Sequence, residues 1–143
     1  MIPKYEEDFH GWATGTAELL RQRRLNDLDF DNLIEEIESM GRSERHQLIN
    51  RLAVLIAHLL KWQFQPDFRG RSWHGTIKEQ RLRLQEIIED NPSLKSMKEE
   101  AIKKGYKLSC SIIEKETPID LNLLPNGCPY TFDECLDDEF YPE

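Results

Sequence analysis

The sequence predicts an all-α protein: a single helical bundle of about four to five helices, closed by a Pro-rich, irregular C-terminal strap. Three observations predict it. Apolar residues recur at steps of three and four from Tyr5 to about Glu116, the period of helices that bury one face. The interruptions are short and carry Asp, Asn, Pro and Gly, which cap or stop helices. Four of the seven prolines, at 118, 125, 129 and 142, fall after Thr117, where the period is lost. A chain of 143 residues is long enough to withdraw roughly 70% of its unfolded surface from water. Residues 1–143 are therefore read as one domain, with 1–116 as the bundle and 117–143 as an acidic strap packed on it.

The first helix is expected to turn Tyr5, Phe9, Trp12, Ala13, Thr16 and Leu20 to one side. "RLNDLDFDN" supplies a turn, with Asp29 or Asp31 as the cap of the second helical segment. Phe30, Leu33, Ile34, Ile37 and Met40 or Gly41 then form an apolar face, with Glu35, Glu36 and Glu38 off it. Gly41 and Ser43 leave two readings of Phe30 to Trp62: two helices, or one long helix bent near Gly41. Leu48, Leu52, Leu55, Ile56, Leu59 and Trp62 are the core face of its second half.

"QPDFRGRS" breaks the pattern, and Ser72 is a candidate cap for a third segment with Trp73, Ile77, Gln80, Arg81, Leu84, Ile87 and Ile88 on one side. "DNPSL" stops and restarts the chain, with Asn91 as a cap and Pro92 in the first turn. The last long helix shows Leu94, Met97, Ala101, Leu108 and Ile112 on one stripe. Gly105 lies there too, where it weakens the helix unless another backbone packs close. In the strap, Thr131 and Glu134 have capping-box spacing for one short helix.

Charge is unevenly spread. Residues 1–41 carry four basic and ten acidic side chains, residues 42–83 nine basic and three acidic, and residues 117–143 seven acidic and none basic. The acidic ends are expected to fold back on the basic middle; the other reading leaves 42–83 open to a phosphate-bearing partner. The longest apolar run, Leu52 to Leu60 broken by His58, is far short of the roughly 20 residues of a membrane span, so no membrane partner is expected. The start has no charged-then-apolar leader, so no secretory signal is read there. Cys110, Cys128 and Cys135 are an odd number with no paired spacing, which suits reduced thiols in a cytoplasmic protein.

Six stretches, "YEEDFHGW", "LIEEIESMG", "HLLKWQ", "SWHGTIKEQR", "NPSL" and "CPYTFDECLDDEFYP", occur in an order that resembles domain-of-unknown-function family 29 (DUF29), found mostly in cyanobacteria. The resemblance covers nearly the whole chain. It implies an α-helical bundle and a bacterial cytoplasmic protein, and it implies no activity.

Chemistry must be sought in the residues themselves. Arg51 and His58 are seven apart and share a helix face, roughly 20° apart. Their spacing also resembles the loose R-x4-6-H motif of the HEPN helical ribonucleases, with His58 as general base and Arg51 on a phosphate oxygen. The blander and preferred reading puts Arg51, His58 and Lys61 at the border of the core, with Lys61 solvated.

Arg81 falls among Ile77, Leu84 and Ile88 and needs a carboxylate or carbonyls; Glu35 or Glu36 is the expected partner. As a structural clasp that pair is complete; as the floor of a pocket it recruits His58, Trp62, Trp73 and Tyr106 as walls. Phe64, Phe68, Arg69 and Arg71 are the exposed candidates for nucleic acid, cations beside stacking rings. A di-iron bundle needs two Glu-x-x-His pairs, and only Glu7–His10 is present, so no metal ligand and no cofactor is assigned. The expected role is a non-enzymatic, intracellular protein-binding module. Nucleic-acid binding or RNA cleavage through 42–83 is the alternative, and a metal-dependent enzyme in the bundle core the third.

Overall fold

The computed structural model describes all residues, Met1–Glu143, and is all-α. Five α-helices run in order: α1 (Phe9–Arg21), α2 (Phe30–Phe64), α3 (Arg71–Asp90), α4 (Lys98–Glu116) and the short α5 (Phe132–Leu136). Single 3₁₀ segments at Leu25–Asp27, Pro66–Phe68, Pro92–Met97 and Leu121–Leu123 fill the connections. The chain divides into two compact units, Met1–Ser43 and Glu44–Glu143.

In the first unit, the Asp8 carboxylate caps α1 by accepting from the Gly11 N–H at 2.9 Å. The buried face of α1 is Trp12, Thr16 and Leu19, one position out of phase with the expected Leu20. Tyr5 and Phe9 place their rings edge-on or tilted against Trp12. The helix ends where Arg23 enters the left-handed region at φ 58°, with Arg24 N–H donating to the Leu19 carbonyl at 3.0 Å and Arg23 N–H to Leu20 at 3.1 Å. This is a Schellman closure with arginine where glycine is usual.

Helix α2 settles the two readings of the second segment: it is one helix of 35 residues. Asp29 is its cap, accepting from Asn32 N–H at 3.3 Å. Gly41 costs only about 1 kcal/mol relative to alanine, too little to stop a helix whose later turns are firmly packed. Ser43 therefore caps nothing. One expectation fails here. Phe30, Ile34, Ile37 and Met40, read as a core face, are 53, 51, 58 and 64% exposed.

The second unit holds the larger core. Leu48, Leu52, Leu55, Ile56, Leu59 and Leu60 of α2 meet Ile77 and Leu84 of α3 and Ile113 of α4, all fully buried. Close approach of α2 and α4 explains Gly105: a Cβ there would lie 3.4 Å from Leu52 Cγ and 3.6 Å from the Ala53 nitrogen. That approach also sets the phase of α4, which buries Ala101, Tyr106, Ser109 and Ile113 and leaves the expected Leu108 43% exposed.

Gly70, with no side-chain cap, opens α3 in place of the expected Ser72. Asn91 donates back to the Ile87 carbonyl at 3.0 Å, closing α3 instead of capping the next segment. The strap packs on this core through Leu124, Tyr130, Phe132 and Cys135. Its capping box forms as expected: Thr131 Oγ1 accepts from Glu134 N–H at 3.1 Å, and the Glu134 carboxylate accepts from Thr131 N–H at 3.0 Å. No helix is long and apolar enough to cross a membrane.

Candidate functional site

The buried face of α3 is Ile77, Arg81, Leu84 and Ile87, so helical phase alone carries a guanidinium into the core. Arg81 is 1% exposed. Its Nε donates to the Cys135 carbonyl at 2.7 Å, its Nη2 to Phe140 at 2.6 Å and its Nη1 to Asp138 at 3.5 Å. Burial pulls its pKa below the ordinary arginine value, while Tyr141, Cys135 and Asp138 push the other way, and the group stays charged.

The expected partners, Glu35 and Glu36, are not the ones it has. Glu36 accepts from the Tyr5 hydroxyl and Glu35 from Arg42 at 2.8 Å, both inside the first unit. Backbone carbonyls of the strap satisfy Arg81 instead. One turn on, Gln85 donates to the Leu136 carbonyl at 3.1 Å, so two residues of α3 grip the strap.

Beside this grip lies a cavity of about 410 Å³ between α3 and the strap, walled by His74, Lys78, Arg81, Gln85, Asp138 and Tyr141. His74 stacks on Tyr141 with centroids 5.5 Å apart and planes 4° from parallel, and Trp62 is tilted against the same ring at 5.0 Å. Cations and carboxylates both line the cavity, which suits holding a polar group and supplies no nucleophile–base pair.

Of the residues expected to wall one pocket, Trp62 and Arg81 meet here through Tyr141. Trp73 is half-buried and takes no part in the lining. The Tyr106 hydroxyl donates to the Pro125 carbonyl, and its ring lines a separate cavity of about 570 Å³ with Cys110 and Cys128. His74, Lys78, Gln85 and Tyr141 were not expected from sequence as walls of a pocket. The first two, with Arg81 and Gln85, recur at steps of four, three and four, a polar row that was legible.

Arg51 and His58 are not paired. Arg51 donates to the Gln80 side chain at 3.4 Å, and His58 Nδ1 donates to the Val54 carbonyl of its own helix at 2.8 Å. Burial lowers the His58 pKa and the Val54 bond only partly offsets this, so the imidazole is neutral near pH 7. Lys61, expected in solvent, is buried and donates to Glu116 at 2.8 Å, which holds that carboxyl below its usual range.

Phe64, Phe68, Arg69 and Arg71 are all exposed, Phe68 at 69%. Arg69 lies over the Trp62 ring at 5.3 Å and donates to the Trp62 carbonyl. Glu7 and His10 lie exposed in the first unit, and no group of three or more His, Cys, Asp or Glu is placed to hold a metal ion.

The first unit presents the other notable surface. At 100° per residue, Phe30, Ile34, Ile37 and Gly41 fall within roughly 60° of one another on α2, and Leu33 and Met40 widen the stripe to about 120°. Asp31 and Glu38 flank one edge of it and Glu36 the other. Four large apolar side chains, each more than half exposed, make this a patch rather than scattered surface residues.

A family model described as "Domain of unknown function DUF29" matches residues 4–141. The chain belongs to the DUF29 family. No curated protein and no solved structure matches it. Membership in DUF29 accounts for the order of motifs along the chain and assigns no chemistry to Arg81, to the cavity beside it, or to the α2 stripe.

Proposed function

We propose that this DUF29 protein is a non-enzymatic interaction module of the bacterial cytoplasm, engaging a protein partner through the α2 stripe. The observation that carries the reading is the exposure of Phe30, Ile34, Ile37 and Met40 along one helix face. Each is already about half covered, so covering the rest is worth roughly 1–2 kcal/mol, and a stripe of four suits a helix-in-groove or helix-on-helix contact. The rim names the partner's chemistry: Asp31, Glu36 and Glu38 favour an apolar helix flanked by lysine or arginine. The same acidic rim disfavours an anionic lipid surface. An odd number of cysteines without paired spacing supports the cytoplasmic setting.

A photo-crosslinking residue at Glu38, with a second at the exposed Lys95 of the second unit as control, tests this in cells. The reading expects one defined protein adduct from position 38, absent from position 95 and lost when Ile34→Asp is added. Adducts to lipid, equal adducts from both positions, or adducts indifferent to Ile34→Asp overturn it.

A second reading, nucleic-acid binding, rests on Phe68 standing exposed beside Arg69 and Arg71. It expects affinity for single-stranded RNA that falls steeply with salt and drops with Phe68→Ala. Retention that ignores salt counts against it. RNA cleavage by Arg51 and His58 gains no support from two side chains bonded to different neighbours.

A further inference from the structure

Helices α2 and α4 frame a cleft of about 350 Å³ in the second unit, lined by no residue of the strap. Arg45 and His46 enter it from α2, and Lys104 and Lys107 from α4. The close approach at Gly105 brings these two rows together, since Lys104 is its chain neighbour and Lys107 lies about half a turn further on. Ile49 and the part-exposed Leu108 give the cleft an apolar side, and Asn50 a neutral polar one. No carboxylate lines it.

Two facts mark this as more than a basic surface. Arg45 Nε is withdrawn from water and has no hydrogen-bond partner. Such an orphaned donor is uncommon and carries a cost, and the side chain to which it belongs lines the cleft. The neighbouring acid, Glu100, is already taken: it accepts from Lys104 at 2.8 Å and is held below the ordinary carboxyl range by Lys104, with a smaller contribution from Arg45. Four nitrogen-bearing side chains line this one cleft, more donors than a single carboxylate would use.

We propose that this cleft binds a small phosphate monoester. The phosphoryl oxygens take hydrogen bonds from Arg45, Lys104 and Lys107, with His46 at the edge, and the organic part lies on Ile49 and Leu108. A cleft of about 350 Å³ has room for one phosphoryl group and a small organic part, which favours a small ester over a nucleic-acid strand. The site stands independently of the α2 stripe and of the function proposed for it.

Titration calorimetry on the full chain tests the site with adenosine 5′-monophosphate, inorganic phosphate and, as the neutral control, adenosine. The monophosphate binds, phosphate binds more weakly and adenosine gives no signal. Arg45→Gln and the double variant Lys104→Ala/Lys107→Ala each weaken binding at least about tenfold. Glu100→Gln, which removes the competing carboxylate, tightens it, and this gain does not depend on a variant that fails to fold. The exposed Lys95→Ala/Lys115→Ala pair leaves it unchanged. The proposal is overturned if neither phosphate compound binds, if Lys95→Ala/Lys115→Ala weakens binding as much as Arg45→Gln, or if Glu100→Gln has no effect. A single-stranded RNA that binds more tightly than the monophosphate through the same residues replaces the small ester with an extended polyanion.

Discussion

The guanidinium of Arg81 lies 5.2 Å from the centre of the Tyr141 ring, while its N–H groups are taken by strap carbonyls at Cys135 and Phe140. One side chain of α3 thus holds the strap by charge, by hydrogen bond and by ring contact. Tyr141 in turn packs against His74 and Trp62, so the end of the chain is tied to α3 and to the last turn of α2.

Replacing Arg81 with alanine removes a fully buried cation and strands three strap carbonyls. A loss of roughly 3–5 kcal/mol is expected in urea unfolding. Arg81→Lys recovers only part of it, because an ammonium cannot reproduce the planar fork that reaches Cys135 and Phe140 together. Tyr141→Ala in the Arg81→Ala background should cost less than in wild type, since the two act as one contact. A loss under about 1 kcal/mol for Arg81→Ala would place the side chain at the surface instead.

Lys61 and Glu116 make an asymmetric pair, with the lysine side chain 9% and the carboxylate 48% exposed. Lys61→Met keeps the aliphatic stem in place and leaves Glu116 free to solvate, so a change under about 1 kcal/mol is expected. Glu116→Ala leaves a buried ammonium without its carboxylate and should cost more, about 1–2 kcal/mol after allowance for the solvent already at the pair. Equal effects from the two variants, measured by chemical denaturation, would show that the pair contributes only through packing.

Several features set by near neighbours in sequence could be read, although the caps expected at Ser43, Ser72 and Asn91 do not form. Asp29 as a cap, the Thr131–Glu134 box and the need for a backbone beside Gly105 all arise from residues within a turn or from one missing Cβ. Helical phase also placed Arg81 on a buried face. Its partner was illegible, because a backbone carbonyl 54 positions away leaves no mark in the side-chain code. Lys61 failed for a related reason: the carboxylate that lets it be buried is 55 residues distant, on another helix. The apolar period of Phe30–Met40 signals a face that favours cover, and periodicity does not say whether the same chain supplies it.

His58 gives the stability a defined pH dependence. Its folded pKa lies below the ordinary 6.5, chiefly through burial, so the folded state prefers the neutral ring. Above that value neither state holds the proton and the stabilisation is complete. As pH falls below it, the unfolded chain takes up a proton that the folded one resists, and stability declines by at most about 1.4 kcal/mol per pH unit until the folded pKa is passed. Glu116, also lowered, adds its own loss only below its ordinary 4.5. Thermal midpoints taken across the interval between these two values should slope in wild type and flatten in His58→Gln. An unchanged slope in that variant would assign the dependence to other groups.

The α2 stripe makes the sharpest contrast with the buried turns of the same helix. Ile37→Asp and Met40→Lys replace side chains that are already more than half in water, so neither removes a packed contact. Each is expected to change stability by no more than about 0.5 kcal/mol. Leu52→Ala, four turns on and fully buried against α4, should cost about 2–5 kcal/mol, since it leaves a cavity beside Gly105. Urea unfolding of the three variants decides between a face that the chain covers for itself and one that it leaves for another molecule. A large loss from Ile37→Asp would make the stripe part of the fold's own core and remove the surface on which the proposed partner docks.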